Sequence, residues 1–277
     1  MKKQEWKKYT ALEQLDNLEM LMAMFFNHAF GRHYHDGYAL GIILEGCETY
    51  KCNHKVNVAP KGSVVVVNPG EVHNGEAWDR AQGWGYFMIY PHLSLIEKAQ
   101  EQLGLDSHCL PVFPESVVQD QAVAKGLIKF MESHNAGDSR LGLETAFLEL
   151  LHLLISRHAE FTRTPPQSTK EANKVNRVAD LIHAQFADPL SLDSLAHEVN
   201  LSAWALLRLF KKQTGISPYL LQARLRIHAA KTALRSGMPM AETAVSCGFS
   251  DQSHMTKQFR RWMGITPGDC LDKAATA

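Results

Sequence analysis

The chain has 277 residues, of which 45% are hydrophobic, and its 29 basic side chains balance 29 acidic ones. This length predicts two domains, each large enough to bury a core. Five cysteines, an odd number with no Cys-x-x-Cys pair, argue against a disulfide framework and a structural zinc site and favour a reducing cytoplasm. The first residues lack the apolar core of a signal peptide, and no apolar run reaches about 18 residues, so we expect no membrane partner.

Residues 18–90 are predicted to form the short strands of a β-sandwich or barrel. Residues 38–44 and 63–67 are apolar or β-branched runs, and glycine, asparagine and proline separate them. Helices are expected at 117–132 and 141–158 from apolar residues at helical spacing. The second helix is too broadly apolar for one barrel face to cover, so we predict that it also joins two copies of the chain into a homodimer. Its apolar residues are Leu143, Phe147, Leu150, Leu151 and Leu154.

Residues 161–173 have the composition of a linker, so they separate a domain at 1–160 from one at 174–277. Residues 173–277 hold 13 Lys and Arg against 8 Asp and Glu, a net charge of +5 opposite the −5 of residues 1–172. A basic domain suits a polyanion. This domain is predicted to be all-helical, with helices at 174–186, 192–199, 203–213, 218–235, 240–247 and 252–262. Candidate N-caps are Asp193, Ser202, Ser217 and Ser250 or Asp251.

One segment of the second domain occurs twice, at 206–218 and 255–267. Phe, two basic residues, Gly, Ile, Ser or Thr, and Pro recur at a constant offset of 49 residues. A repeat of this kind indicates two copies of one supersecondary unit. Each copy is predicted as a helix, a tight turn and a second helix, the helix-turn-helix layout in which the second helix enters the DNA major groove. Double-stranded DNA is therefore the expected partner.

The predicted DNA contacts lie on the faces of the two second helices opposite Leu206, Leu209, Phe210, Met255 and Phe259, which are expected to be core. Arg208 suits guanine and Gln252 suits adenine, whereas the other basic residues suit phosphates. The alternative is that these basic residues form an ordinary solvated helix face. The recurrence of the segment at 255–267 argues against this alternative. The predicted contact residues are Ala203, Trp204, Leu207, Arg208, Lys211, Lys212, Gln252, Ser253, Thr256, Lys257 and Arg260.

Residues 173–270 closely resemble the DNA-binding domain of the AraC/XylS family of bacterial transcription regulators, through motifs at 207–212, 214–218, 248–251 and 264–267. The resemblance implies two helix-turn-helix units joined by a long helix, with recognition helices about 34 Å apart. It also implies a ligand-responsive regulator, most often an activator, which would contact RNA polymerase.

The first domain resembles cupin barrels and the sensor domains of the same family. His33-Tyr34-His35 and the segment from Gly62 to His73 carry this resemblance, and 68–75 is similar to a subgroup associated with amino-acid exporters. The implied fold is α+β and multidomain: a cupin-like β-barrel with a helical dimerisation pair, then an all-α domain with two helix-turn-helix units.

We predict that the mouth of the barrel holds a small-molecule effector and that the protein has no cofactor and no catalytic activity. Such pockets combine apolar walls with a few convergent polar groups. Because Arg32 suits a carboxylate, an amino acid or another carboxylate is the expected effector. The candidate pocket residues are Arg32, His33, His35, Tyr38, His73, Trp84, Tyr86 and Met88.

Three alternatives stay open for this domain. The His-x-His spacing, His73 and Glu45 suit a metal, which would make the chain a metal-dependent cupin enzyme with a DNA-binding tail. Glu45 lies ten residues beyond His35, however, farther than such enzymes usually place that ligand, and we expect no metal. In the second alternative His35 and His73 are satisfied core or rim residues. In the third the chain binds DNA constitutively and has no ligand.

Overall fold

The computed structural model describes residues 4–52, 55–105, 109–161 and 170–271. The chain divides into two compact units, Met1–Thr164 and Pro165–Ala277. The division falls inside the expected linker, of which residues 162–169 lie outside the described part. The linker's predicted end at 173 is wrong, because a helix already begins at Lys170.

The first unit contains antiparallel strands that follow one another in short hairpins and crossovers. Those described are β1 (Trp6–Leu12), β2 (Leu18–Phe25), β3 (Ala29–His33), β4 (Ala39–Cys52), β5 (Lys55–Pro60), β6 (Val64–Val67), β7 (His73–Ala77), β8 (Trp84–Tyr90) and β9 (Val117–Val118). One layer has the order β1-β2-β8-β4-β6-β9, and β3, β7, β4 and β5 make a second. Strand β4 belongs to both layers, which places the layers face to face.

Alternate side chains of β2, β4 and β8 enter two different environments, as the pleat of a strand requires. Leu40 of β4 and Phe87 of β8 belong to a hydrophobic core shared with the helices that follow the strands. Glu48 and Trp84 are on the other side, where a Cβ added at Gly75 of β7 would lie 2.6 Å from Glu48 Oε1 and 3.4 Å from the indole of Trp84. We call this space between the two layers the sheet interior.

Three helices cover the outer face of the first layer: α1 (Leu93–Gln102), α2 (Gln121–Asn135) and α3 (Arg140–His158). The expectation of a helix from 117 is wrong, since residues 117 and 118 form β9 and pair with β6. Asp120 starts α2, because its carboxylate accepts hydrogen bonds from the Ala122 and Val123 amides at 2.8 and 3.3 Å. The same carboxylate pairs with Arg157 and His158 at the end of α3, at 2.7 and 2.8 Å.

The apolar face of α3 is buried within one copy of the chain. Each of the five residues named as a dimer surface is at most 2% exposed, because α3 packs on both α2 and the sheet. The premise that they exceed what one protomer covers is therefore wrong. The residues are Leu143, Phe147, Leu150, Leu151 and Leu154.

The second unit is helical as predicted, with boundaries within a few residues of those expected. Its helices are α4 (Lys170–Ala184), α5 (Leu192–His197), α6 (Ala203–Thr214), α7 (Pro218–Arg235), α8 (Met240–Ser246) and α9 (Gln252–Met263). Ser202, Ser217 and Asp251 are N-caps as predicted, whereas α5 is capped by Ser191 rather than Asp193. Among the described helices of the chain, none has the length and apolar character needed to cross a bilayer.

Helix α7 holds the turn that precedes the first helix-turn-helix, at residues 186–188. The Arg226 guanidinium donates to the carbonyls of Phe186, Ala187 and Asp188 at 2.8, 3.3 and 2.9 Å. The Gln222 amide donates to two of the same carbonyls, at 3.1 and 2.8 Å. These five bonds satisfy main-chain oxygens that no helix or strand satisfies.

Gly248, in the turn of the second helix-turn-helix, lies against the same 186–188 turn. Its φ is +79°, and a Cβ at this position would lie 2.2 Å from the Ala187 carbonyl oxygen. Only glycine permits both this backbone conformation and this approach. The turn before the first helix-turn-helix and the turn within the second therefore meet at one place, next to the first half of α7.

We expect Arg226→Met to lower the free energy of unfolding by about 1.5–3 kcal/mol, because it leaves three carbonyls without a charged donor. Urea denaturation followed by circular dichroism measures this. Arg177→Met is the matched control, since Arg177 makes only an exposed pair with Glu198 at 3.5 Å, worth about 1 kcal/mol or less. Equal losses in the two variants would contradict the importance of the Arg226 bonds.

Candidate DNA-binding surface and effector site

Helices α6 and α9 are built alike. A capped first turn starts each, and a left-handed glycine, Gly215 with φ +75° and Gly264 with φ +67°, ends each. The predicted core residues Leu206, Phe210, Met255 and Phe259 are fully buried, whereas Leu209 is only half-buried. The opposite faces of both helices are therefore the ones that reach solvent.

Six cations occupy equivalent positions on these exposed faces, related by the 49-residue offset. The pairs are Arg208 with Lys257, Lys211 with Arg260, and Lys212 with Arg261, and all six side chains are exposed. Spacings of three and four residues place each trio on one side of its helix. The Arg261 guanidinium lies 5.1 Å from the centre of the Trp262 ring, which orients it by a cation–π contact.

The remaining predicted contact residues are less uniform. Trp204 is 71% exposed on the first turn of α6, although a tryptophan loses much by facing water. Gln252 and Ser253 are exposed, and Ala203 and Thr256 are half-buried. Leu207 is also half-buried and lines a shallow pocket with Leu192 and Leu195 of α5, so part of its side chain faces the protein rather than a groove.

The sheet interior contains a carboxyl group that the sequence analysis did not single out. Glu48 is 8% exposed, and burial raises its pKa well above the usual 4.5. Trp84, Tyr86 and Phe30 surround this space, with the Trp84 and Tyr86 rings 4.7 Å apart and the Phe30 and Trp84 rings 6.1 Å apart. An acid among aromatic rings is suited to a ligand that carries a cation or a hydrogen-bond donor.

Two buried ring nitrogens nearby have no hydrogen-bond partner among the described residues. They are Nε1 of Trp84 and Nε2 of His28. His28 packs on Phe25 and Phe30, with ring centres 4.7 and 4.6 Å away. Because native proteins rarely leave such groups unpaired, the Trp84 N–H is a candidate donor to a bound molecule.

The three predicted histidines come together at one end of the sheet interior. His33 and His73 are direct register partners on β3 and β7, and the His35 ring lies 5.1 Å from that of His73. Burial lowers the pKa of His73 to about 4, so its imidazole is neutral at pH 7. The cluster does not include Glu45, which is exposed on β4.

Tyr38 and Arg32, which were also predicted for the effector pocket, lie elsewhere, whereas Met88 shares the interior face of β8 with Trp84 and Tyr86. Tyr38 is 1% exposed within the core on the helical side, where its hydroxyl donates to the Pro111 carbonyl at 2.7 Å, so its assignment to the pocket is wrong. Arg32 is exposed on β3 and does not line the interior. Met88 is buried against Gly41 of β4, where an added Cβ would lie 1.9 Å from the methionine sulfur.

Comparisons with known proteins agree with this architecture. Residues 195–273 match a model of a helix-turn-helix domain, and residues 17–151 match a model of an AraC-like ligand-binding domain. The uncharacterised HTH-type transcriptional regulator YbfI of Bacillus subtilis is 31% identical over 229 residues, covering 82% of this chain and 81% of YbfI. The HTH-type transcriptional activator RhaS of Escherichia coli O81 is 27% identical over 248 residues, covering 87% of each chain.

A solved structure of ToxT from Vibrio cholerae has the same fold, with a TM-score of 0.55 at 12% identity and coverage of 97% of this chain and 98% of ToxT. A sheet-rich ligand-binding unit followed by a double helix-turn-helix defines a DNA-binding transcription regulator under the control of an effector. The chain belongs to the AraC family of these regulators.

The pH dependence of stability should reveal the buried Glu48. Its raised pKa means that the folded chain keeps a proton that the unfolded chain releases above about pH 4.5, so stability falls as the pH rises from there towards 7. Glu48→Gln removes this loss, and its stability relative to the parent chain should therefore increase over that range. Glu45→Gln, on an exposed glutamate of the same strand, is the control. A constant difference for Glu48→Gln across the range would contradict the assignment.

Proposed function

We propose that this regulator activates transcription by inserting α6 and α9 into successive major grooves on one side of the DNA. The observation that supports this most directly is the pair of matching cationic trios on the exposed faces of α6 and α9. A basic face that occurs twice, on helices with the same caps, is better suited to DNA than a solvated surface is. The activator RhaS, which is similar along most of the chain, supports activation rather than repression.

Individual residues are proposed to have different roles. Arg208 and Gln252 would read bases through paired hydrogen bonds, and Trp204 would contact bases or sugars. Lys211, Lys212 and Arg260 would bind phosphates, which position the protein without specifying sequence. Ala203, Leu207, Ser253, Thr256 and Lys257 complete the proposed contact set, with Leu207 limited by its packing on α5.

We expect Arg208→Ala to weaken binding to the preferred duplex by about 1–3 kcal/mol and to relax specificity at one base pair. Lys212→Ala should weaken all duplexes alike and reduce the salt slope by about one. Selection of duplexes by the full chain, followed by fluorescence anisotropy at several salt concentrations, measures both. Arg80→Ala removes an exposed arginine of the first unit and is the control. If Arg208→Ala kept both the preferred sequence and the affinity, α6 would not read bases through Arg208.

The effector is proposed to be a small metabolite with both an amine and a carboxylate, an amino acid being the leading candidate. Glu48 supports the amine, since ammonium binding would stabilise the ionised carboxylate that burial disfavours. The Trp84 N–H, which has no hydrogen-bond partner among the described residues, supports the carboxylate. This assignment moves the anion-binding role from Arg32 to Trp84, which lines the interior.

A melting screen against amino acids, amines and sugars tests this effector. An amino acid at a hundredfold excess over its Kd should add about 2.7 kcal/mol to stability. Glu48→Gln should abolish most of the shift, and Arg32→Ala, at an exposed site, should not. A response to sugars alone would contradict the zwitterion, and no response to any metabolite would favour constitutive DNA binding.

We also propose a homodimer, although the buried apolar face of α3 no longer supports it. The remaining support is the family resemblance and Leu141 at the start of α3, which is 73% exposed. RNA polymerase is the proposed partner in activation, and the cytoplasm, where the chromosome lies, is the proposed location. We propose no catalytic activity, since the homologous proteins are named as regulators.

A further inference from the structure

Three imidazoles are close enough to share one ion. The ring centres of His33 and His73 are 4.2 Å apart, those of His33 and His35 are 5.0 Å apart, and those of His35 and His73 are 5.1 Å apart. One ring nitrogen of each lies within 4.8 Å of one ring nitrogen of both others. In a tetrahedral site with metal–nitrogen bonds of about 2.0–2.1 Å, the nitrogens are roughly 3.3 Å apart, so small side-chain rotations would close the site.

Hydrogen bonds fix the tautomer of two of the three rings. Nδ1 of His33 is 2.8 Å from the Gly31 carbonyl oxygen, and Nδ1 of His73 is 3.0 Å from the Glu71 carbonyl oxygen. Since a carbonyl oxygen only accepts, each Nδ1 carries a proton, so in the neutral ring Nε2 is the nitrogen that can bind a metal. Metal-binding histidines are held in this way, with the other ring nitrogen bonded to a backbone carbonyl or a carboxylate.

The backbone around the cluster is held in place before any ligand arrives. His33 and His73 lie opposite each other on paired strands. The His35 carbonyl accepts a hydrogen bond from the Gly70 amide at 2.8 Å, and the His35 ring contacts that of Tyr90, with centres 5.0 Å apart. A site on such supported segments loses little conformational freedom when it binds.

We infer that His33, His35 and His73 bind one divalent transition-metal ion, which occupies the end of the sheet interior. Three imidazole nitrogens are a donor set for Zn²⁺, Co²⁺, Ni²⁺ or Cu²⁺ and a poor one for Mg²⁺ or Ca²⁺. The cluster includes no carboxylate among the residues that the structure describes. Three protein ligands leave a coordination position for water or another oxygen donor, the arrangement of an open rather than a purely structural site.

The metal alone is the probe, used with the full tag-free chain after treatment with a chelator. Calorimetric titration with Zn²⁺ should give one site per chain, and Co²⁺ should produce a visible absorption band from nitrogen coordination. His35→Gln and His73→Gln should each weaken binding by about 100-fold or more. His152→Gln, on the exposed face of α3, is the matched control and should bind like the parent chain.

Melting curves of the metal-free variants separate a lost ligand from a lost fold. Because His73 is buried, a substitution there is more disruptive to folding than one at half-buried His35. If His73→Gln does not fold, the result for His35→Gln decides the test. Affinity of the metal-free parent chain for DNA is measured in parallel, which distinguishes failure of the metal site from failure of the regulator function. No Zn²⁺ or Co²⁺ uptake by the parent chain, or uptake that survives in folded His35→Gln, would overturn the inference.

Discussion

The contact of α7 and Gly248 with the 186–188 turn fixes how α6 and α9, the two helices proposed to read DNA, are arranged. Successive major grooves repeat about every 34 Å, so two helices act together only if their separation is set within the protein. Arg226 and Gln222 hold the 186–188 turn, which precedes the first helix-turn-helix, through five hydrogen bonds. Gly248 brings the turn of the second helix-turn-helix against the same segment. Without this contact, each binding event would have to order the helices at a cost in entropy.

Local sequence patterns predicted the helices of the second unit closely, because the residues that begin, end and orient each helix lie within that helix or next to it. Apolar spacing, capping side chains and two glycines located α6 and α9 to within one residue at their C-terminal ends. The cap of α5 was missed, because Ser191, two residues before Asp193, forms a reciprocal capping box with Ser194. The role of Arg226 could not be predicted from the sequence. Its acceptors are backbone carbonyls 38 to 40 residues away, and the residue types at those positions do not indicate the bonds.

Several expectations for the first unit were wrong, because they depended on tertiary packing that the sequence does not show. The apolar face of α3 suggested a partner chain, yet α2 and the sheet cover it completely. Tyr38 was predicted as a pocket residue, but it lies just before β4 and is buried in the core on the helical side. Motif spacing did bring the three histidines together, because partners on paired strands are close in space. Glu48 gave no signal, since a glutamate within a strand normally faces water, and only the surrounding layers show that it is buried.

The two recognition helices are alike in framework but not in their first turns. The exposed Trp204 of α6 corresponds to Ser253 of α9, and Ala203 corresponds to Gln252. In the proposed DNA-binding mode, a bulky indole and a small hydroxyl would meet different groove features. One chain would then distinguish the two orientations of an asymmetric DNA site. This directionality would be a property of a single chain and would not require a second copy.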